Sequence, residues 1–374
     1  MGEANMSSNL PKTYKAIVIH SPHSGRAAQL PEALAYLRQS SIEIINILSI
    51  AELDNLPAQG EHWVESGIDA AVAAGGDGLV GGVITHIAES GLPLGILPLG
   101  TANDIARSLS IPQDLHRAAE VIAQGKVQEI DIGTAQPAEQ TPHPANPEPG
   151  HPAINRVPLQ KSGYFAHALT VGLNVQFARL ATNVATRQRY GKLTYPVAAL
   201  EVLRNHSALE MQFEFYGLAL FPHRASPTQL SPAPLLLEEP TLLHCRALQA
   251  AVINAPIFGG QWQLTIPGAR INDRLLDIVV IEDVELSSLG TRFAGLFSQQ
   301  EQHPTPPSDW HARYPMLHPA ELTGIPGVHH VQARGVNITT QADPQDVTLD
   351  GEVRGQTPVH VCMADERLRV IVPG

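Results

Sequence analysis

The first third of the chain alternates between two hydrophobic periods. Short apolar runs such as "KAIVIHS", "IDAAVAAGG" and "LPLGILPLG" are typical of buried strands, whereas "LPEALAYLRQS" and "LVGGVITHIAESG" have helical spacing. Short apolar strands that alternate with helices indicate a parallel sheet covered by helices on both faces. We therefore predict an α/β domain over residues 1–134.

The pattern changes after this domain. Residues 135–160 are rich in proline and poor in large apolar side chains, so we interpret them as a linker or surface insertion. Residues 161–374 mostly show strand patterns, and the proline-rich stretches at 222–240 and 304–319 predict long loops. Three segments have helical spacing instead: "VQFARLATNVATRQ", "TYPVAALEVLRN" and "LSSLGTRFAGLFSQQ". This half is predicted to be a mainly antiparallel β domain whose last strand could return to the first domain.

The composition narrows the possible classes of protein. The chain has 374 residues, 43% hydrophobic and 16% charged, which is typical of a globular protein. No apolar stretch reaches the roughly 18 residues that span a bilayer, and the N-terminus lacks the apolar core of a signal peptide. With two cysteines, Cys245 and Cys362, we expect no disulfide framework and a cytoplasmic location. The net charge of −12 argues against a nucleic-acid partner and against broad docking on anionic lipid.

A glycine-rich stretch, Gly-Gly-Asp-Gly at 75–78, follows a predicted strand and precedes a predicted helix. Free backbone N–H groups at a helix N-terminus bind anions, so this stretch is a candidate phosphate site. Asp77 would repel phosphate directly, but Mg²⁺ can bridge a carboxylate to phosphate oxygens. The alternative is a tight strand-to-helix turn in which Asp77 is merely the N-cap.

A second stretch, "GILPLGTANDIARSLSIP" at 95–112, has the same strand-to-helix pattern. Thr101 offers a hydroxyl and Asp104 a carboxylate at the carboxyl end of a strand. Ligands of open α/β sheets bind at that edge. A second capped helix without a ligand fits this stretch equally well.

These motifs resemble the catalytic domain of the diacylglycerol kinase and sphingosine kinase-like lipid kinases, especially the soluble bacterial ones. "GGDG" alone is also similar to NAD kinases and phosphofructokinases, but "PLGTANDIARSL" about 20 residues later is long and specific. The similarity continues in "SPHSGR", "EIDIG", "VINAPIFGGQWQLTIPGARINDRLLDIVVI" and "TLDGEVRGQTPVHVCMADERLRVIVP". It spans nearly the whole chain except the proline-rich insertions. It implies a phosphofructokinase/NAD-kinase-like α/β domain followed by a β domain that binds the lipid.

The resemblance implies that ATP and Mg²⁺ bind in the cleft between the two domains. The residues that match the family's nucleotide contacts are Ser21, Ser24, Gly25, Gly75, Gly76, Asp77, Gly78, Leu79, Gly100, Thr101 and Asn103. Those that match its Mg²⁺–ATP network are Asp77, Asp104 and Asp131. A second, structural metal would be held by the Asp273 carboxylate and the main-chain carbonyls of Arg270 and Leu275.

The implied activity is ATP-dependent phosphorylation of a lipid hydroxyl, with diacylglycerol converted to phosphatidic acid as the expected reaction. Asp350 and Glu352 match the family's "DGE" segment, whose acidic side chains have the general-base role, and Asp77 completes the implied catalytic set. Most such tripeptides are hairpin turns, so Asp350 and Gly351 could form a turn that leaves only Glu352 for chemistry. We also expect transient contact with a membrane, and a homodimer remains an open alternative.

The sequence departs from the family pattern in two places. Where the family has Thr and then Asn-Glu after Gly-Gly-Asp-Gly, this chain has Leu79, Val80, Gly81 and Gly82. A lost side-chain hydrogen bond to a charged group is worth about 1.5–3 kcal/mol, so a degenerate relative that binds without turnover is the alternative function. Arg274 also replaces the usual glycine after Asp273, and we expect its backbone to avoid the left-handed region.

Two further groups of side chains have weaker interpretations. The basic cluster is Arg179, Arg187, Arg189 and Lys192, which predicts a solvated helix face or a contact with anionic headgroups. The 17 histidines are scattered without metal-ligand spacing, and the adjacent pair His329-His330 is expected to have a surface or core role.

Overall fold

The structure is a computed structural model. It describes residues 14–138, 163–173, 175, 207–220, 234–258, 263–266, 268–283, 327–341 and 343–374. The three helices predicted for the second half, the basic cluster and most of the proline-rich stretches lie outside these residues.

The N-terminal half is an α/β domain with four parallel strands in the order β2-β1-β3-β4. The strands are β1 (Tyr14–His20), β2 (Ile42–Ser49), β3 (Ala70–Gly75) and β4 (Leu94–Pro98). The helices are α1 (Leu30–Gln39), α2 (Ile50–Leu53), α3 (Gly60–Glu65), α4 (Asp77–Ile87), α5 (Asp104–Ser108) and α6 (Leu115–Gln124). Every residue of β3 and β4 is buried, as expected for parallel strands covered on both faces.

The second half consists mostly of strands in the described residues, in which Leu173 and Val175 are helical. The strands are β5 (Val127–Pro137), β6 (Gly163–Phe165), β7 (Ala168–Gly172), β8 (Leu209–Leu220), β9 (Leu235–Leu236), β10 (Thr241–Ile253), β11 (Ile257–Phe258), β12 (Leu264–Thr265), β13 (Leu276–Glu282), β14 (Val328–Thr340), β15 (Asp346–Leu349), β16 (Glu352–Gln356) and β17 (Val359–Ile371). Their pairings with one another are antiparallel. The predicted fold class, an α/β domain followed by a β-sandwich-like domain, is confirmed.

The last long strand joins the two halves. β17 pairs antiparallel with β14 and β5, and near its end Val370 pairs in parallel with Leu94 of β4. Val370 and Ile371 therefore belong to the hydrophobic core around the parallel sheet, whereas Val359 and Val361 lie in the core of the β half. β5 continues to Pro137, beyond the domain boundary predicted after residue 134, because its pairing with β17 continues that far.

The fold places three strand-to-loop transitions side by side. β1, β3 and β4 are parallel, so the loops after His20, Gly75 and Pro98 lie at one edge of the sheet. The hairpin of β15 and β16 approaches the same region through β7, with which β15 pairs. Among the described helices, none is long and apolar enough to cross a membrane.

Candidate active site

The loops that follow β1, β3 and β4 contact one another through glycine backbones. A Cβ atom added to Gly100 would lie 2.3 Å from the Cα of Gly76, which no real structure tolerates. A Cβ on Gly25 would lie 2.6 Å from Thr101 Oγ1. The glycines at these positions are therefore required by close approach of the chain to itself, in addition to any ligand.

Asn103 holds the loop after β4 in shape. It adopts a left-handed conformation with φ of 53° and is buried. Its Oδ1 accepts from Gly100 N at 2.8 Å, and its Nδ2 donates to Gly100 O at 3.1 Å and to Gln113 Oε1 at 3.0 Å. Because the amide is engaged within the protein, the structure assigns Asn103 a positioning role in the predicted nucleotide site.

The loop after β1 is attached to the same region. Arg26 N donates to Leu99 O at 2.9 Å, and its guanidinium donates to Pro98 O. Ser24 N donates to Ser21 O at 3.2 Å, and Ser21 Oγ accepts from His23 N at 3.4 Å. Ser24 and Gly25 thus remain at the edge of the glycine contact, where the resemblance places them near phosphate.

Helix α4 begins at this edge with its N-terminus uncovered by a side-chain cap. Gly76 is the N-cap and makes no side-chain cap hydrogen bond, and Val80 N is bonded back to Gly76 O at 3.1 Å. The N–H groups of the first helical turn have no acceptor within the helix. The main-chain N–H groups of Asp77, Gly78 and Leu79 therefore form a candidate anion site.

Asp77 links the two glycine-rich motifs. Its Oδ2 accepts from Asp104 N at 3.1 Å, and its Oδ1 accepts from Ile105 N at 2.9 Å. The carboxylate thus caps the following helix, α5, so the alternative in which Asp77 is the N-cap of its own helix is wrong. Each oxygen accepts one N–H and keeps a lone pair, so Asp77 can still be a metal ligand.

Leu79 packs away from the candidate anion site. Its side chain is 4% exposed and belongs to the core of the α/β domain. A Cβ on Gly75 would lie 2.3 Å from Leu79 Cδ2, so the leucine covers the end of β3. In the predicted nucleotide site, Gly75 therefore receives the leucine side chain, and Leu79 offers only its main-chain N–H.

Asp350 is held by main-chain N–H groups, and its predicted catalytic role stays a prediction. It forms the turn between β15 and β16 with Gly351, at φ of 48° and 86°. Its side chain is buried, and its two oxygens accept the N–H groups of Ala166, His167 and Ala168 at 3.1, 2.9 and 3.0 Å. Burial raises the pKa of Asp350 to about 6, against the opposing effects of the His167 charge and the three N–H donors. The carboxylate positions the segment before β7, and Asp350 also lines a groove along α4.

Glu352, the other acid of the "DGE" segment, lies beside the start of α4. A Cβ on Gly78 would lie 2.8 Å from Glu352 Oε1, so this carboxylate oxygen is next to the first turn of the helix. Its Oε2 accepts from Arg354 Nη2 at 2.5 Å, and its side chain is 52% exposed. Glu352 is therefore an accessible carboxylate adjacent to the candidate anion site.

Of the two unusual glycines on α4, Gly81 lies under the same hairpin and Gly82 lies against α2. A Cβ on Gly81 would lie 2.6 Å from Asp350 Oδ2, and a Cβ on Gly82 would lie 2.9 Å from Ile50 Cδ1. The Asn-Glu pair of the family pattern would not fit here without displacing these neighbours. The sequence analysis missed this correspondence, because it depends on a contact between residues about 270 positions apart.

A groove of about 560 Å³ runs along this face of α4. Its lining includes Gly78 and Arg354, the two residues that contact Glu352. The rest of the lining mixes polar and apolar residues, among them Asp54, Leu56, Pro57, His86, Tyr164, Leu349 and Asp350. Glu352 itself does not line the groove, but its neighbours Gly78 and Arg354 do, so the groove passes beside this carboxylate.

Asp131, the third predicted magnesium ligand, is paired with two arginines. Its side chain is 1% exposed, and its Oδ1 accepts from Arg367 Nε at 3.0 Å. Its Oδ2 accepts from Arg274 N at 2.6 Å, and the Arg274 guanidinium lies 3.6 Å from Oδ1. The expectation that Arg274 avoids the left-handed region is wrong: its φ is 64°, which directs its N–H towards Asp131. The oxygens of this carboxylate are engaged by arginine, so Asp131 does not fit the implied metal network.

The residues of the implied structural metal lie on the loop before β13. Asp273 Oδ1 accepts from Leu275 N at 3.1 Å. Burial, together with the negative charges of Asp277 and Asp131, raises the pKa of Asp273 to about 7, while Arg270 acts in the opposite direction. Across the described ranges, no group of three or more His, Cys, Asp or Glu side chains could hold a metal ion. The predicted metal would use one carboxylate and two main-chain carbonyls, not three such side chains, so the roles of Arg270, Asp273 and Leu275 stay a prediction.

The histidine pair has core roles. His330 Nε2 lies 2.6 Å from Asp277 Oδ1, and His329 Nε2 lies 3.3 Å from Glu282 Oε1. Both histidines are buried on β14. Burial lowers the pKa of His329, while the Glu282 carboxylate opposes this shift.

Comparison with protein families identifies both halves of the chain. Residues 15–135 match the model of the diacylglycerol kinase catalytic domain. The predicted family resemblance is confirmed. Residues 168–302 match the YegS C-terminal NAD kinase beta sandwich-like domain. The diacylglycerol kinase catalytic domain thus contains the glycine loops and Asp77, whereas the hairpin with Glu352 lies beyond both matches.

Similar proteins extend over nearly the whole chain. The diacylglycerol kinase of Staphylococcus epidermidis is 24% identical over 96% of this chain and 92% of its own length. The enzyme of the same name from Staphylococcus saprophyticus is 23% identical over 96% and 95%. A crystal structure of a diacylglycerol kinase from Bacillus anthracis covers 97% of this chain and 98% of its own, with 17% identity and a TM-score of 0.54. A second structure from the same organism has 18% identity, covers 96% and 97%, and has a TM-score of 0.61.

Proposed function

We propose that this protein transfers the γ-phosphoryl group of ATP to the hydroxyl of a lipid, in a reaction that requires Mg²⁺. The catalytic-domain match and the name of the curated relatives support diacylglycerol as the acceptor. Phosphatidic acid is then the product.

One observation carries this proposal: the Glu352 carboxylate lies against the first turn of α4. The helix N-terminus offers N–H groups to an anion, and the carboxylate offers an acceptor for a proton. Phosphoryl transfer needs these two elements next to each other, because a hydroxyl must lose its proton as it attacks the phosphorus.

The glycine loops supply the phosphate side of the proposed site. The main-chain N–H groups of Asp77, Gly78 and Leu79 bind phosphate oxygens, and Gly25 and Thr101 lie at the adjoining loop contact. This chain lacks the family's side-chain hydroxyl, amide and carboxylate groups after Gly78. The main-chain donors remain, because a backbone N–H group is present whatever the side chain.

A magnesium ion, when bound, would neutralise phosphate charge and orient the transferred group. Asp77 fits this role because each of its oxygens retains a lone pair. The adjacent Asp104 is a buried carboxylate on the next helix and would complete the metal's protein ligands. Asp131 takes no part, since arginine side chains engage it.

The groove along α4 supplies the acceptor side. Its mixed lining suits the hydroxyl-bearing end of a lipid better than two acyl chains, which would need a more apolar surface. The hydroxyl approaches Glu352 from the groove and gives its proton to the carboxylate. Arg354 holds Glu352 Oε2, which leaves Oε1 beside Gly78 as the free acceptor. Because a diacylglycerol substrate is held in a membrane, the proposal includes transient membrane contact.

The decisive experiment is Glu352→Gln, assayed with radiolabelled ATP and vesicles that contain diacylglycerol. The amide keeps the shape but accepts no proton, so kcat is expected to fall by about 10²–10⁴-fold while ATP binding is retained. Glu65→Gln, at an exposed position on α3, is the matched control and should retain full activity.

Two results would overturn the proposal. Full activity of Glu352→Gln would remove the proposed base. Absence of turnover by the wild-type protein on diacylglycerol and on other lipid alcohols, together with normal ATP binding, would favour a relative that binds without turnover.

A further inference from the structure

Asp131 connects four separate segments of the chain. It lies on β5, where its N–H donates to Ile271 O at 2.8 Å and its carbonyl accepts from Asn254 Nδ2 at 2.8 Å. Ile271 precedes β13, and Asn254 follows β10. Its carboxylate is held by Arg274, on the same loop as Ile271, and by Arg367 on β17. Every polar group of Asp131 is therefore used to attach β5 to the β half of the molecule.

Positive charge already outnumbers the single negative charge of this carboxylate without a metal, although Arg367 is shared with Glu129 at 3.9 Å. Two guanidinium groups face one buried carboxylate, with Arg367 Nε at 3.0 Å and Arg274 Nη1 at 3.6 Å from the same oxygen. The second oxygen accepts the Arg274 N–H at 2.6 Å. A divalent cation at Asp131 would meet two positive side chains at close range in a buried environment, which is strongly unfavourable.

We propose that Arg274 and Arg367 take the place of a divalent cation at Asp131. The resulting cluster of one carboxylate and two guanidinium groups holds the loop before β13 against β5. It thereby links β5, the strand that follows the α/β domain, to the β half. Arg274 and Arg367 are positioning residues in this interpretation, and none of the three side chains needs to touch ATP or lipid.

The conformation of Arg274 supports this assignment. A non-glycine residue with φ of 64° is held by its surroundings, since L-residues disfavour the left-handed region. Here the same turn directs both the N–H and the guanidinium of Arg274 to Asp131. Glycine, the usual residue at this position in the resembling family, would provide the N–H but not the positive charge.

The test measures how much Mg²⁺ raises the melting midpoint relative to EDTA, in the full-length protein without nucleotide. Asp131→Asn should show the same Mg²⁺-induced rise as the wild type, because Asp131 binds no metal in the proposed state. Arg274→Gly should show a larger rise than the wild type, because it restores a carboxylate that lacks one of its cations. Asp131→Asn combined with Arg274→Gly should lose this extra rise.

Arg274→Gln is the matched control, since it retains a Cβ and a long polar side chain but no charge. It should be less stable than the wild type in EDTA, whereas Arg274→Lys should be closer to it. Arg274→Gly is expected to fold, because glycine tolerates the left-handed turn. If Asp131→Asn does not accumulate as folded protein, the comparison of Arg274→Gly with the wild type still tests the proposal.

The proposal is overturned if Asp131→Asn has a smaller Mg²⁺-induced rise than the wild type, since Asp131 would then bind the metal. It is also overturned if Arg274→Gly gains no extra rise. These measurements do not depend on turnover, so failure of the proposed kinase activity would leave them interpretable.

Discussion

The two sides of helix α4 make different kinds of contact. On the phosphate side, the contacts run from backbone to backbone, as between Gly76 and Gly100. On the groove side, the contacts are made by side chains of the β15–β16 hairpin, with Asp350 against Gly81 and Glu352 against Gly78. The helix itself is almost entirely buried between Leu79 and Ile84.

The difference shows how the site tolerates an unusual sequence. A phosphate site made of main-chain N–H groups survives the loss of polar side chains, provided that the glycines permit close approach. A site made of side chains depends instead on what lies opposite each position. Gly81 therefore marks an adaptation to the hairpin, and Gly82 a close contact with Ile50, and not simply the loss of the family's polar residues.

Gly100→Ala should have the largest effect on stability and activity, because it disturbs the phosphate side of α4. The new methyl would lie 2.3 Å from the Cα of Gly76, so one of the two loops must move. Overpacking of this kind costs about 1–3 kcal/mol or more, and a displacement near 1 Å can lower kcat/KM by about 100-fold. Denaturant unfolding and transfer to diacylglycerol vesicles would measure both effects.

Gly67→Ala is the control for this prediction. Gly67 has φ of 76° but no atom within 4 Å of an added Cβ, so it tests backbone strain without a clash. It should lose about 1 kcal/mol of stability and keep its activity. Equal activity of Gly100→Ala and the wild type would show that the loop contact does not shape the site.

Leu79→Thr tests whether the side chain at position 79 belongs to the core or to the phosphate side of α4. The family residue would restore a hydroxyl, but Leu79 is buried in the core and covers Gly75. We expect a loss of about 2–4 kcal/mol in the free energy of unfolding and no gain in turnover. Leu79→Met, which conserves volume, should cost less than about 1.5 kcal/mol. Higher turnover of Leu79→Thr at unchanged stability would place this side chain at the phosphate instead.

The contrast between the two sides also explains what the sequence could predict. The candidate phosphate site was proposed from local signals, because glycines between a strand and a helix have a specific backbone use. The roles of Asp350, Asp131 and Leu79 depended on residues far away in sequence, which no local pattern contains. Asp350 and Asp131, two acids of the motifs that resemble the family, are therefore present but already have partners. Asp350 accepts three N–H groups, and Asp131 is paired with arginines.

The buried charge of Asp350 gives the groove side a pH dependence. Its pKa is raised from 3.8 to about 6, so the folded state binds its proton more tightly than the unfolded state. The stabilising contribution is complete below about pH 4 and is lost as the pH rises through about 6, by up to about 3 kcal/mol. Unfolding free energies measured between these pH values would show the decrease.

Asp350→Asn should flatten that pH dependence. It should also lower stability by about 1–3 kcal/mol at pH 8, where Asp350 is ionised, because an amide NH₂ cannot accept the N–H that one of the two carboxylate oxygens now accepts. Other titrating groups are common to both proteins and cancel in the difference. An unchanged slope in Asp350→Asn would show that another acid causes the wild-type pH dependence.

The smallest predicted effect is a difference in stability between alanine substitutions at Gly81 and Gly82, the two adjacent glycines on α4. Alanine is favoured over glycine inside a helix by about 1 kcal/mol, so each substitution has the same intrinsic gain. At Gly82 the new methyl meets the flexible end of Ile50, which can move, so stability should change by less than about 1 kcal/mol. At Gly81 it meets Asp350 Oδ2 at 2.6 Å, and three N–H donors hold that carboxylate in place. Gly81→Ala should therefore be the less stable variant in denaturant unfolding; equal stabilities would mean that the hairpin rests only loosely on the helix.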